Sequence, residues 1–446
     1  MHNRLFYCDL SQPQRVSYSE LLGEVLTLPA IPRWIQSGNF YELFTLLVAA
    51  IDRDASLILV NEALPQETIS NFVGDLGDSP ASDASSQALN KSTTAHTETG
   101  QERQCRLLVE LSMANESDSP WSNAVQSWLH NSKARIGILT SGSGGRPKLV
   151  EHTPASLARG VRTGPNYANH VWGLAYHPTH FAGLQVFFQA FCNQNAMIRL
   201  FGLDAPTMHA SIEQEAITHI SATPTFFKQL CVPEAIFPQV TQITSGGELA
   251  PSNLASILQQ AFPSASRLNV YASTEAGSLL ASEGDLFRVP SRLTDQIKVI
   301  DGQLAIHRSL LATSVQERCD DEFYLTGDEV EVIDSQGTDD ERLAFRITSR
   351  RSDMINVGGY KVNPVDVEAA LLRIGGIEDA RVYGRENSVT GNIVCCDIVL
   401  SAGASLNSKR IRQALSGSLL DYQLPRIIQF VHQLPTTATG KRDRRV

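Results

Sequence analysis

Apolar and polar positions along the 446-residue chain fall into three regimes. In the first, up to residue 76, helix-like and strand-like stretches alternate. "YSELLGEVLTL" spaces its apolar residues as a helix does, "SLILVN" is an apolar run of strand length, and "ALPQETISNFVGDL" returns to helical spacing. "LFTLLVAAI" (43–51) predicts a buried helix, since it falls far short of the ~20 apolar residues that cross a bilayer. From Gly77 to Gly100 the chain reads "GDSPASDASSQALNKSTTAHTETG", without aromatic or β-branched aliphatic residues, and predicts a flexible surface excursion. "ELSMANESDSPWSN" predicts a second, shorter polar loop.

The second regime opens with "RIGILTSG", a strand running into a glycine-rich turn. Helices and strands then alternate to about residue 270, the pattern of a mostly parallel sheet. In the third, "DQIKVIDGQLAIHRSLL", "FYLTGDEVEVID" and "RLAFRITS" are short period-two strands with tight turns, which predicts a small antiparallel barrel or sheet. The tail from "DMINVGGYKVNPVDVEAALLRI" onward mixes strand, helix, strand and helix, with Pro364 near the start of the first helix. The expected fold class is α/β: a large N-terminal domain of α/β subdomains carrying the small antiparallel element, followed by a small α+β domain. No internal repeat is evident.

Composition narrows the function. Hydrophobic content of 42% and charged content of 19% are those of an ordinary globular protein. A net charge of −10 argues against a nucleic-acid partner, and the basic "GKRDRRV" is too short to reverse that. The opening "MHNRLFYCDLSQPQRV" has no apolar segment of the secretory type. Seven scattered cysteines do not form a disulfide framework. Cys395 and Cys396, adjacent in the strand-like "NIVCCDIVL", are expected to face opposite sides as structural residues. These observations together predict a cytoplasmic protein. His177 and His180 in "YHPTHFAG" are three apart, but Pro178 disfavours a regular helix and no further ligand cluster follows, so a zinc site is disfavoured.

The candidate chemistry begins at "TSGSGGRPKL", Thr140 to Leu149. Glycines let backbone N–H groups approach a ligand, hydroxyls add donors and Lys148 adds a point charge, which suits a phosphate chain. A flexible surface loop explains the same composition equally well. The segment is neither a Walker loop, lacking Gly-Lys-Ser/Thr, nor a dinucleotide G-x-G-x-x-G, and "TGK" at 439–441 also lacks the following hydroxyl.

In order, "TSGSGGRPK", "SGGELAP", "YASTEAG", "YLTGDEVEV", "SRRSDMINVGGYKVNP" and "LPTTATGK" resemble the successive core motifs of the adenylate-forming acyl-CoA synthetase superfamily over nearly the whole chain. That group includes acyl- and aryl-CoA ligases, peptide-synthetase adenylation domains and luciferases. The resemblance implies a large AMP-binding domain over 1–351 and a small mobile lid domain over 352–446. It also implies ATP, Mg²⁺ and coenzyme A as the cofactor and co-substrates.

Residue roles follow from the same resemblance. Thr140, Ser141, Gly142, Ser143, Gly144, Gly145 and Lys148 would wrap the β- and γ-phosphates, with Gly144 standing where the group usually has a second Thr. Ser245, Gly246, Gly247 and Glu248 would line the adenine pocket and Tyr271 would stack on the base. Thr274 would bond the α-phosphate, and Glu275 and Thr140 would hold Mg²⁺. Asp328 would accept both ribose hydroxyls. Arg350 would add a ribose or phosphate contact, with Arg351 as the alternative. Ser352 falls at the interdomain hinge, where an Asp or Lys is common. Lys441 would place its charge between the substrate carboxylate and the α-phosphate, stabilising two anions as they meet. Gly358, Gly359 and Lys361 would flank the acceptor's path, although an ordinary strand turn also explains the glycines.

For the acid itself, amino-acid-activating members carry an Asp to pair the substrate ammonium. "YHPTHFAGLQVFF" supplies His180 and Phe181 and no carboxylate there, so a simple carboxylic acid is expected. Thr223, in "ATPTFF", would form another pocket wall. The leading expectation is a carboxylate–CoA ligase acting through an acyl-adenylate. Transfer to an acyl carrier protein is a second reading, and a non-catalytic adenylate-binding homologue a third, suggested by Gly144, Ser352 and a short N-terminal region. No nucleic-acid partner or membrane span is expected.

Overall fold

The structure, a computed structural model, describes residues 4–64, 69, 105–113, 120–141, 147–232, 234–248, 250, 254–333, 342–387, 390–437 and 442–443. The predicted excursion at 77–100 lies outside these residues, as does nearly all of "ALPQETISNFVGDL". Among the described residues no helix is long and apolar enough to cross a membrane.

The largest sheet has eight strands. Across it lie Gly277–Ser282, Ser266–Ser273, Gln242–Gly246, His219–Ala222, Val171–Leu174, Ala196–Arg199, Leu5–Asp9 and Gln14–Ser17. The six strands from Ser266–Ser273 to Leu5–Asp9 pair in parallel, and the two edge strands are antiparallel. Helices cross between the parallel strands, and their starts are fixed locally. Asp204 caps Ala205–Gln214 by accepting from the Thr207 N–H at 3.1 Å, and Thr223 caps Pro224–Leu230 by accepting from Phe226 at 3.0 Å. The topology puts Thr223, Gly247–Glu248 and Thr274–Glu275 just past the carboxyl ends of three adjacent strands, the edge where open α/β sheets bind ligands.

A second sheet runs Trp34–Gln36, Ser56–Val60, Arg135–Ser141, Pro147–His152, with only its last pair antiparallel. Helices Phe40–Asp52 and Phe181–Phe191 pack together in the main core, with Phe44 and Phe187 stacked at 5.0 Å between centroids. Every residue of Phe40–Asp52 except Glu42 is buried, which suits "LFTLLVAAI", apolar but for Thr45, whose hydroxyl donates to the Tyr41 carbonyl at 2.9 Å.

One expectation needs correcting. The ends of "ELSMANESDSPWSN" are helical, in Arg106–Met113 and Pro120–Asn131. Tertiary packing overrides the polar composition: Trp121 is buried edge-on against Tyr18 at 5.0 Å and donates to the Phe191 carbonyl at 2.6 Å.

The third sheet is antiparallel, as the period-two pattern predicts, with order Leu286–Arg288, Ala344–Arg350, Phe323–Val332, Gln303–His307, Ile297–Ile300. The fourth joins Tyr360–Val362, Ile355–Val357, Gly391–Leu400 and Ile377–Asn387, with Ile427–Phe430 parallel to Gly391–Leu400. Helices Pro364–Leu372 and Ser408–Leu415 cover it over a separate core that includes Val367, Leu371, Val382, Cys396 and Ile411. Cys395 and Cys396 are both fully buried. The whole is the expected α/β class with a small C-terminal α+β unit.

Candidate active site

The antiparallel sheet meets the large sheet at a charged cluster. Strand register places Asp328 opposite Arg350, whose Nε lies 3.3 Å from Asp328 Oδ1, and the Tyr271 hydroxyl donates to Asp328 Oδ2 at 2.7 Å. Burial raises the Asp328 carboxyl above the ordinary Asp range, and Arg350 and the Tyr271 donor oppose that rise. Burial and the adjoining Asp328 carboxylate hold the Tyr271 phenol well above its usual value, so it stays a donor. Glu275 also acts on Arg350 and Asp328 electrostatically, so two carboxylates share the surroundings of one guanidinium. Arg351, the alternative to Arg350, instead pairs with Glu329 at 3.2 Å.

The strand leaving the glycine-rich loop is tied to this cluster. Thr140 and Lys148 face each other across the strand pair, with Lys148 exposed. Four residues on, His152 is buried and its Nε2 lies 2.7 Å from the Thr274 carbonyl, so Nε2–H is the donor there. Burial lowers this imidazole to about 4, leaving it neutral near pH 7. Glu151 N–H donates to Ser314 at 2.9 Å, and Ala312 N–H donates to the Glu275 carbonyl at 2.7 Å. Thr274 and Glu275 are therefore held from both sides. Residues 142–146 lie outside the described residues, and with them Gly142, Ser143, Gly144 and Gly145; of Ser141 only the strand backbone is described.

At the neighbouring strand end, Gly246 leaves no space for a side chain, since a Cβ would sit 2.6 Å from a Val270 methyl. Gly247 adopts a φ of +81°, open mainly to glycine. Ser245 Oγ is buried and finds no partner among the described residues, a polar atom ready for a ligand. Glu248 accepts from Thr225 N–H at 3.1 Å and from the Arg442 N–H at 2.6 Å. Lys441 lies outside the described residues, but its neighbour Arg442 is thus at the end of the "TSGGE" strand.

On the expected acid side, His180 precedes helix Phe181–Phe191 and its Nε2 lies 3.2 Å from Asn61 Nδ2. Phe181 is buried, 5.6 Å from the His152 ring, and its ring edge lies 3.4 Å from where a Cβ on Gly277 would be. Thr223 is buried as a helix cap. Gly358 and Gly359 have φ of +58° and +91° in the hairpin between Ile355–Val357 and Tyr360–Val362, so the turn itself requires them. Lys361 is exposed on that hairpin, and no hydrogen bond or ion pair among the described residues joins it to the Asp328 cluster. Ser352 lies in the short turn Arg351–Asp353, where its hydroxyl donates to Asp353 at 3.0 Å. Sequence reasoning did not find Asn61, His152, Lys228, Asp379 or Arg442, because partners this distant in sequence leave no spacing signal.

Comparison with known proteins identifies the family. Residues 34–301 match the AMP-binding enzyme family and residues 366–441 match the AMP-binding enzyme C-terminal domain. The chain belongs to the AMP-binding enzyme family, the adenylate-forming group its motifs resemble. It is 25% identical over 369 residues to the 2-succinylbenzoate–CoA ligase of Geobacillus sp. (strain WCH70), covering 74% of this chain and 72% of that one. Against other curated CoA ligases and acyl-CoA synthetases of comparable likeness it spans 59% to 64% of their length. Its fold is similar to that of ATP-bound MatB from Rhodopseudomonas palustris, with a TM-score of 0.72, 17% identity and coverage of 99% and 94% of the two chains. It is also similar to MenE, the O-succinylbenzoate coenzyme A synthetase of Bacillus subtilis in complex with ATP and magnesium ion, with a TM-score of 0.68, 18% identity and coverage of 99% and 96%.

Proposed function

We propose that the protein is an AMP-forming carboxylate–CoA ligase. The observation that carries this reading is the convergence of Tyr271, Asp328 and Arg350 beside Thr274 and Glu275, at the carboxyl edge of the main sheet, in a chain of the AMP-binding enzyme family. Asp328 has acceptor capacity for ribose hydroxyls, and Ser245 and the Gly246–Gly247 backbone fit the base. Mg²⁺ at Glu275 and Thr140 would neutralise phosphate charge. In the first half-reaction a carboxylate oxygen attacks the α-phosphorus of ATP and the α–β P–O bond breaks, releasing pyrophosphate. Lys441 would stabilise the charge gathered there. In the second, the thiol of coenzyme A attacks the acyl carbon, AMP leaves, and the thiol proton passes to solvent. The division at Ser352, into 1–351 and 352–446, and a cytoplasmic setting belong to the same reading.

The acid is inferred to lack an ammonium. His180, Phe181 and Thr223 offer no carboxylate to pair one, and the Glu248 carboxylate already accepts two backbone N–H groups. Acid-dependent exchange of pyrophosphate into ATP, run over aryl, short-chain and fatty acids, tests the reading, and thioester formation with coenzyme A or with a carrier protein identifies the acceptor. Lys441→Ala is expected to abolish exchange while largely keeping thioester formation from supplied acyl-adenylate. ATP binding without exchange for any acid would instead establish a non-catalytic homologue.

A further inference from the structure

Among the contacts between the large unit and the small C-terminal unit is a compact charged cluster that borders the expected nucleotide site at Glu248. Lys228, in the last turn of the helix capped by Thr223, reaches Asp379 Oδ1 at 2.8 Å, and the two side chains are only 15% and 21% exposed. Arg442 Nη2 reaches the same oxygen at 2.9 Å, while its Nη1 lies 3.3 Å from Glu368 and donates to the Ala380 carbonyl at 2.7 Å. Glu368, Asp379 and Ala380 all belong to the small unit, so the Arg442 guanidinium is bound to that unit. Within this cluster two bonds cross to the large unit, Lys228–Asp379 and Arg442 N–H to Glu248 at 2.6 Å, while nearer the hinge Asn363 Nδ2 donates to the Thr348 carbonyl at 3.3 Å. The Arg442 bond holds the chain next to Lys441, and the Lys228 helix begins at the expected acid pocket.

With the small unit mobile, as the resemblance to the superfamily implies, the geometry points to Lys228–Asp379 and Glu248–Arg442 N–H as a two-point latch that holds this unit against the large one for adenylate formation and must open for thioester formation. Lys228 is a positioning residue in it. The bonds suit a reversible contact: each partner is partly exposed and regains water when the units separate, so the latch biases an equilibrium without locking it. The assignment of its two positions to the two half-reactions rests on the ligase reading above.

Two measurements test the latch. Zero-length carbodiimide coupling of the full chain should give a cross-linked peptide pair joining Lys228 to Asp379, a readout that needs no catalysis. In Lys228→Met, pyrophosphate exchange should fall about tenfold, corresponding to ~1.4 kcal/mol, while thioester formation from supplied acyl-adenylate is unchanged or faster. Lys228→Arg should restore exchange, and the melting temperature should stay within a few degrees of the parent. Absence of the cross-link, or an equal change in both half-reactions, would overturn the latch. A parent protein that shows no exchange but forms the cross-link would remove the ligase reading and, with it, the latch's role in the two half-reactions, leaving only a contact between the units.

Discussion

At the scale of single residues, Asp328 concentrates the demands of the site. Its oxygens face a phenol and a guanidinium, and burial makes its charge costly unless both are present. Asp328→Asn keeps the shape and removes the charge. Hydrogen bonds to charged groups contribute on the order of 1.5–3 kcal/mol, so KM for ATP should rise roughly 10- to 100-fold. KM for the acid should move much less, and measuring both in the exchange assay separates a nucleotide contact from general disruption. Asp328 and Arg350 were named from the order of the motifs, and strand register does set them opposite each other, while Arg351 turns to Glu329. His152 was not legible. Its importance comes from a bond to Thr274 that spans 122 residues, and nothing in "LVEHT" announces it.

At the scale of elements, the start of helix Phe181–Phe191 is packed against the turn that carries His177 and His180. A Cβ on Gly183 would lie 2.3 Å from the His177 carbonyl oxygen, a backbone atom that cannot swing aside. Gly183→Ala should therefore destabilise the fold by about 1–3 kcal/mol, read as a lower urea midpoint. By displacing the His177–His180 turn it should also raise KM for the acid. The elements themselves were largely readable where one periodicity dominates. The strand-length segments "QLAIH" and "FYLTGDEVEV", set between tight turns, gave the antiparallel sheet, and "LFTLLVAAI", apolar but for Thr45, gave the central helix. Legibility failed at "ELSMANESDSPWSN", where a single buried Trp121 outweighs a polar neighbourhood, because its burial depends on Tyr18 and Phe191 from elsewhere in the chain.

At the scale of the whole molecule, burial makes stability depend on acidity. His152, His177 and His219 are all nearly inaccessible, and burial lowers their imidazoles to about 4, about 3 and about 4, with His170 stacked 3.8 Å from His219 opposing its protonation further. In the unfolded chain each binds a proton near pH 6.5, whereas in the folded chain each stays neutral until well below pH 5. Between those values the unfolded state holds more protons, so stability rises with pH and is lost as acid is added. The contribution is complete above about pH 6.5 and erodes towards pH 4, by on the order of 3 kcal/mol for His152 alone. Asp328, Glu24 and Asp366 work the other way, since burial raises their carboxyls and they take a proton in the folded state before the unfolded one, whereas the lowered carboxyls of Asp9, Glu20, Asp54 and Asp204 add to the loss in acid. Urea unfolding at about pH 7, 5.5 and 4.5 should show a steadily falling midpoint. In His152→Gln, whose amide can still donate to the Thr274 carbonyl, the fall should be smaller while stability near pH 7 stays close to the parent's. A midpoint that does not move with acidity in the parent would mean that these imidazoles reach solvent in the folded protein, and that the His152–Thr274 bond holding the Glu275 loop is not the buried, neutral contact on which that loop's position depends.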